Sequence, residues 1–267
     1  MERFETSGSQ EQRGLQEKIA RLDPIISRSE GLYNGGRTLG IEANNPYSAT
    51  ELKGFVEEFE LIMVTFATGD QLPFYEKISK DNEYELQVWN ILESDERTKH
   101  VCEHLSSSKT WPPGWAAEFI DQYSPASMVE AFQSLTQSEG VAGPPGYILR
   151  GLRTEAICML VFDERGKAAA TSCCVDRHQG RTNFARHIFV GYVAVASDHK
   201  RQGFGSLALS TIISEASKRL NITSFYTGVK PDNRASIAMC EACGLSHNGR
   251  YAFGLWKPDV FGKKFTS

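Results

Sequence analysis

A short polar turn carries the residue types that bind an anion. Lys200 and Arg201 supply positive charge, and Gly203 and Gly205 let a phosphate reach the backbone with no Cβ in the way. A predicted helix begins at Phe204, and the first amide groups of a helix have no internal partner and lie at the positive end of its dipole. The turn therefore predicts a site for a phosphate-bearing or nucleotide-like ligand.

The segments on either side of this turn would position it. Residues 188–195 form an apolar run long enough for one buried strand. Downstream, an apolar stripe follows helical spacing through Phe204, Ala208, Ile212, Ala216 and Leu220. The glycine spacing fits neither the dinucleotide-binding fingerprint nor the P-loop. An ordinary tight turn between a strand and a helix remains the alternative.

Two stretches resemble known motifs. K-R-Q-G-F-G-S, residues 200–206, resembles the [QR]-x-x-G-x-[GA] acetyl-CoA signature of the GCN5-related N-acetyltransferases (GNAT). N-R-A-S-I-A-M-C-E-A-C-G-L, residues 233–245, resembles the family's N-x-x-A-x-x-x-Y-x-x-x-G-[FL] stretch, and a predicted strand over 223–229 precedes it. The resemblance covers residues 147–256 and fades upstream. It departs at Lys200, usually Gln or Arg in the family, and at Cys240, often Tyr.

The resemblance implies a fold, a co-substrate and a reaction. The fold would be α/β (α+β), with a mixed, mostly antiparallel, twisted sheet and helices on both faces. The reaction would move an acetyl group from acetyl-CoA to a primary amine of a small molecule or a protein, with no metal. The residues implied in binding acetyl-CoA are Val193, Ala194, Val195, Lys200, Arg201, Gln202, Gly203, Phe204, Gly205, Ser206 and Asn233.

Acetyl transfer also needs proton carriers, because the amine must lose a proton and the leaving thiolate must gain one. Cys240 lies two helical turns after Asn233, so both can share the face turned towards the coenzyme. A thiol stays mostly protonated at pH 7, which makes Cys240 a candidate acid; an inert buried cysteine is the alternative. His187, and less strongly His178, are candidate bases because histidine titrates near neutrality. Either could instead be a plain surface histidine.

Two other functions remain open. The missing tyrosine, and the lack of an acidic residue in 188–195, allow a non-catalytic acyl-CoA-binding module. A more remote alternative is a zinc metallopeptidase, because residues 100–104 read H-x-x-E-H. The charged neighbours Glu96, Arg97 and Lys99 instead indicate a solvated helical face.

Composition bounds the class of protein. The chain has 267 residues, 40% of them hydrophobic and 23% charged, with a net charge of -4. These values indicate a soluble globular protein and disfavour nucleic acid as the main partner. No apolar run approaches the roughly 20 residues of a membrane span, and the N-terminus lacks the apolar core of a signal peptide. We therefore expect a cytoplasmic protein. Its six cysteines would form no disulfide framework.

The upstream third is predicted as a helical extension of unknown role over residues 1–81, with the transferase domain over 82–267 and a homodimer left open. The Gly-rich residues 31–47 are predicted to be loop. Ser48 and Glu51 fit a capping box, after which helical spacing runs on to Phe66. Alternation over 83–88 predicts a strand, a plausible first strand of the transferase sheet.

Overall fold

The computed structural model describes residues 4–26, 28–45, 47–178, 184, 186–258 and 260. The helices in this part of the chain are α1 (Gln10–Ile26), α2 (Ala49–Phe59), α3 (Leu72–Asn82), α4 (Thr98–Ser108), α5 (Ala126–Ser138), α6 (Gly146–Leu149), α7 (Phe204–Leu220) and α8 (Arg234–Ala242). The strands are β1 (Leu32–Asn34), β2 (Leu39–Glu42), β3 (Leu61–Thr68), β4 (Glu85–Ser94), β5 (Ala116–Ile120), β6 (Ala156–Phe162), β7 (Ala168–Val175), β8 (His187–Val195), β9 (Ser224–Val229) and β10 (Leu245–Trp256).

All of these strands belong to one sheet, in the order β1-β2-β3-β10-β4-β9-β8-β7-β6-β5. The pairs β2/β3 and β8/β9 are parallel, and the other pairs are antiparallel. The mixed, mostly antiparallel sheet predicted from the sequence is confirmed. So is the strand–turn–helix unit that ends in α7.

Strand β6 shows why helices cover both faces of the sheet. Successive side chains of a strand point to opposite faces. Met159 and Val161 belong to the cluster that includes Ile212 of α7, whereas Leu160 joins the cluster that includes Phe132 of α5. All three β6 side chains are fully buried. A strand that is apolar on both sides therefore requires a helix layer on each, as predicted.

The prediction of one long helix over residues 48–66 is half right. The capping box is present, because Glu51 N donates to Ser48 Oγ at 3.3 Å and Ser48 N donates to Glu51 Oε2 at 2.8 Å. Helix α2 then ends at Glu60, which adopts a left-handed φ of 66°, and β3 starts at Leu61. The helical spacing predicted on to Phe66 is wrong over β3 because this strand is apolar on both faces. A short apolar run of this kind fits a buried strand as well as a helix.

The upstream residues complete the sheet instead of preceding it. Strand β4, predicted as a plausible first strand, lies in the middle, between β10 and β9. Strand β10 continues the sheet to β3 through a register of seven residue pairs from Arg250 to Trp256. The segment 31–47, predicted as loop, contains the antiparallel pair β1/β2. Residues upstream of 82 are thus hydrogen-bonded into the same sheet as the rest.

The cysteines differ from the expectation in one pair. Cys158 of β6 and Cys173 of β7 are joined by a disulfide. They lie directly opposite each other in the β6/β7 register, a pairing that the spacing of cysteines along the chain does not reveal. The other four cysteines are buried free thiols.

Candidate active site between two diverging strands

A cleft opens in the sheet where β8 leaves β9. The two strands pair only from His187 to Phe189, and beyond that point β8 follows β7 alone among the described residues. A bulge redirects β8, with Tyr192 at a left-handed φ of 55°. Thr171 fixes the bulge, because its hydroxyl donates to the Tyr192 carbonyl at 2.8 Å and accepts from Ala194 N at 3.2 Å. Bulges of this kind bend a strand and end pairing on one side.

The space between the diverging strands is a cavity of about 250 Å³. Its walls come from β8, β9 and α8, from the loops 35–38 and 141–145, and from the central strands β3, β4 and β10. Of the residues predicted from the sequence, Val193, Asn233 and Cys240 line it, whereas Ala194, Val195 and residues 200–206 are not among the lining residues. Residues from both sides of position 82 therefore build one site.

The turn that follows β8 has the geometry expected of an anion site. Gly203 adopts a left-handed φ of 85° and caps α7, which begins at Phe204. Gly205 allows α7 to approach α8, since a Cβ there would lie 3.0 Å from Met239 Sδ. The main chain thus turns sharply into a helix whose first amides are available to a ligand.

Lys200, which is predicted to bind the coenzyme, pairs with a carboxylate of the chain itself. Its Nζ lies 2.6 Å from Glu139 Oε2, and Glu139 also accepts hydrogen bonds from Ser197 N and Oγ. Burial raises the pKa of Glu139, but the hydrogen bonds from Lys200 and Ser197 lower it more, so the pKa lies below its usual range. Lys200 therefore fastens the turn to the end of α5. Arg201, Gln202 and Ser206 remain predicted ligands.

A second cation reaches the turn from upstream. Lys109, the residue after α4, places its Nζ 3.9 Å from the position of a Cβ built on Gly203. The sequence did not indicate Lys109, because the contact depends on how α4 packs beside α7.

Asn233 and Cys240 occupy opposite ends of α8. Asn233 caps the helix, with its Oδ1 accepting from Ser236 N at 3.1 Å. Cys240 is 2% exposed, and burial raises the pKa of its thiol to about 12. The thiol therefore stays protonated across the neutral range, a requirement for a proton donor.

The two candidate bases, His187 and His178, differ in their position relative to the cavity. His187 is not among the residues that line it and lies edge-on to the Phe66 and Phe184 rings. His178 is fully buried and reaches the cavity through a partner: its Nε2 lies 2.9 Å from the hydroxyl of Tyr226, which lines the cavity.

Glu42 completes this polar chain. Its Oε1 lies 2.6 Å from His178 Nδ1. Because a carboxylate only accepts hydrogen bonds, Nδ1 carries the hydrogen, and Nε2 accepts from the Tyr226 hydroxyl. Burial and the neighbouring Tyr33 hydroxyl raise the pKa of Tyr226 well above its ordinary value. The three side chains thus form an oriented path for a proton, from the cavity wall to a buried carboxylate.

Comparison with known proteins identifies the segment that carries this site. A model of the acetyltransferase (GNAT) family matches residues 127–245, which include β8, the turn and α8. Over this segment the chain matches the GNAT family. No curated protein matches the chain in sequence.

Solved structures share the fold over nearly the whole chain. A GCN5-related N-acetyltransferase from Kribbella flavida is 14% identical, with 91% of this chain and 95% of that chain covered and a TM-score of 0.56. A GCN5-related N-acetyltransferase-like protein from Streptococcus suis 89/1591 is 14% identical, with 92% and 99% covered and a TM-score of 0.60. At this identity the likeness concerns the fold, and it extends well upstream of the segment that matches the family model.

The remaining motifs of the chain lie away from the cavity. In H-x-x-E-H, His100 is exposed and contacts Glu103 one turn along α4 at 3.7 Å. Trp111 and Trp115 pack on Phe204. Over the described residues, no three His, Cys, Asp or Glu side chains are grouped to hold a metal ion. Within the same ranges, no helix has the length and hydropathy needed to cross a membrane.

Proposed function

We propose that this chain transfers an acetyl group from acetyl-CoA to a primary amine. The observation that carries the proposal is the arrangement around β8. The strand edge freed from β9 borders a cavity lined by Val193, Cys240 and Tyr226, and the turn with Gly203 follows the end of β8. A pyrophosphate, an extended arm and a thioester require an anion site, a free strand edge and proton carriers in that order.

The strand edge and the helix terminus would hold the coenzyme. Residues 193–195 of β8 have no strand partner on the β9 side within the described residues, so their backbone groups can bond to the amides of the pantetheine arm. The same groups would polarise the thioester carbonyl. The amides of the first turn of α7, with Gly203 and Gly205 leaving room, would bind the pyrophosphate, and Lys109 and Arg201 would add charge.

The oriented polar chain would remove the proton of the attacking amine. As the amine nitrogen bonds to the carbonyl carbon, its proton passes to the Tyr226 oxygen, while the Tyr226 hydroxyl proton passes to His178 Nε2. Glu42 stabilises the resulting imidazolium through Nδ1. This path replaces the acidic residue missing from β8, and it weakens the case for a non-catalytic binding module.

The other proton would come from Cys240. When the carbon–sulfur bond breaks, the coenzyme thiolate takes the proton of the Cys240 thiol, and solvent later restores it. Proton transfer from a buried thiol of raised pKa is favourable only while the accepting thiolate is the stronger base. Burial of the coenzyme thiolate in the cleft would raise its basicity and so favour the transfer.

An acceptor screen tests the proposal. Release of coenzyme A from acetyl-CoA is measured with and without a panel of primary amines, alongside calorimetry of acetyl-CoA binding. Amine-dependent release that yields the acetylated amine supports the proposal. Binding without release under any amine would make the chain an acyl-CoA-binding module, and no binding would refute the cleft assignment.

A further inference from the structure

Two arginines line the cavity. Arg37 comes from the loop between β1 and β2, and Arg177 follows β7. Both side chains are partly exposed. Tyr192, at the strand bulge, links them: its hydroxyl accepts from Arg177 Nη2 at 2.8 Å, and it lies within electrostatic range of Arg37. The bulge that opens the coenzyme cleft therefore also positions two cations.

Both guanidinium groups are charged at neutral pH in spite of this setting. The pKa of Arg37 is lowered to about 10, mainly by burial and to a smaller extent by the neighbouring charge of Arg177. Arg177 stacks on Phe189, with Cζ 3.4 Å from the ring centroid, and the hydroxyls of Tyr192 and Tyr226 hold its pKa above the usual value against the effect of burial. Two like charges brought close together in a protein are stabilised by an anion between or beside them.

The rest of the wall is polar beside the arginines and apolar elsewhere. Tyr33, Thr38 and Thr65 supply hydroxyl groups near the cations. Among the described residues that line the cavity, none is Asp or Glu. The carboxylate of Glu42 lies behind the wall, 1% exposed, and is engaged by His178. Large apolar side chains also line the cavity: Leu61, Met63, Trp89 and Trp256.

We propose that the acceptor is a small amine that also carries a carboxylate and an apolar body, as an apolar amino acid does. The proposal rests on the acetyl-transfer function proposed above and narrows its acceptor. Arg37 and Arg177 bind the carboxylate, a planar anion that matches the guanidinium fork. The apolar wall takes the side chain, and the amine is left near the Tyr226 hydroxyl, where the proton path begins.

The test compares acids with their amides. The twenty L-amino acids, each as the free acid and as the primary amide, are supplied with acetyl-CoA, and kcat/KM is measured by release of coenzyme A. Calorimetry of N-acetyl-L-leucine and of its amide, with coenzyme A present, measures binding without turnover. We expect apolar free acids to exceed their amides at least tenfold in kcat/KM, and the N-acetylated acid to bind more tightly than its amide.

Variants separate charge from packing. Arg37→Gln and Arg177→Gln should each bring the acid-to-amide ratio close to one while acetyl-CoA affinity stays within twofold. Arg177→Lys, which keeps the charge, should retain part of the preference. Arg21→Gln is the matched control, because Arg21 lies exposed on α1, where its guanidinium pairs with Glu17.

The outcomes distinguish the two proposals. Equal use and equal binding of acids and amides overturns the anion site and leaves acetyl transfer standing. No turnover with any amine, together with preferential binding of the N-acetylated acid that is lost in Arg37→Gln, refutes acetyl transfer and keeps the anion site. A preference that survives both glutamine variants overturns the assignment to these arginines.

Discussion

A negative charge placed on the α7 turn tests the coenzyme site most directly. Gly203 caps α7 at a φ of 85°. Among the described residues, the atom that comes within 4 Å of a Cβ built there is Lys109 Nζ, at 3.9 Å. Gly203→Asp therefore fits sterically, but it puts a carboxylate where the pyrophosphate would lie. Gly203→Asn has the same size and tolerates positive φ, so the pair isolates the charge.

The expected loss follows from Coulomb's law. Two unit charges about 5 Å apart in water repel by roughly 0.8 kcal/mol, so a carboxylate facing the two charges of a pyrophosphate costs about 1.7 kcal/mol. That energy corresponds to a 10- to 20-fold loss of affinity. The turn is exposed, so salt should screen the effect, and the difference between the Asp and Asn variants should shrink as ionic strength rises.

The assay is calorimetry of acetyl-CoA binding at low and high salt. Gly166→Asn is the control for backbone strain, because Gly166 also has a positive φ of 74° with open space around it, but lies in the β6/β7 turn. We expect both Asn variants to lose about 1–2 kcal/mol of stability and only the variants at 203 to lose affinity. If folded Gly203→Asp binds acetyl-CoA within twofold of Gly203→Asn at low salt, the turn does not hold the pyrophosphate.

Three further predictions concern protons and charge. Tyr226→Phe should lower turnover at least 100-fold with acetyl-CoA affinity within twofold, whereas turnover within threefold of wild type would remove the hydroxyl from the proton path. Cys240→Ala should lower turnover tenfold or more with acetyl-CoA binding intact. Because the pKa of the thiol is about 12, the wild-type rate should show no loss of this donor between pH 6 and 9. Turnover of the variant within twofold of wild type across that range rules the role out. Glu139→Gln should cost up to about 1 kcal/mol of stability at pH 7, measured by urea unfolding. The folded pKa of Glu139 is depressed, so this contribution should vanish as pH falls through it; a difference unchanged at pH 3 would contradict the ion pair with Lys200.

The half of the site proposed to bind the coenzyme was predictable because it is local in sequence. One apolar run, one glycine turn and one amphipathic stripe became β8, the Gly203 cap and α7. Asn233 and Cys240 share α8, so their common approach to the cavity followed from helical spacing alone. What the residues would bind was suggested by resemblance, and the physical chemistry of a helix terminus points the same way.

The half proposed to bind the acceptor depends on contacts between distant segments and was not predictable. Glu42 lies 136 residues from His178, and His178 lies 48 residues from Tyr226. Each residue type alone has ordinary alternatives in a sequence: a strand glutamate, a loop histidine, a core tyrosine. Only the sheet order, which brings β2 to one side of the cavity and β9 to the other, turns them into a chain of hydrogen bonds.

The Gly-rich loop before β2 shows why Arg37 was not predicted as a site residue. The sequence predicts plain loop there, because no strand is evident on either side of it. Strands β1 and β2 are short, three and four residues, and too brief for a periodic pattern to emerge. Their hydrogen bonds hold Arg37 at the cavity wall.

The resemblance fades upstream of residue 147, yet that upstream region supplies Arg37, Glu42 and the strands that close the sheet beyond β9. A division at residues 81 and 82 remains a prediction from sequence, and strands from both sides of it pair with β10. A coenzyme is the same molecule for every transferase that uses it, so its site can be written in a short motif. An acceptor differs from enzyme to enzyme, and in this chain it would be recognised by residues that the motif does not include. The identity of the acceptor is therefore to be sought in residues outside the two motifs.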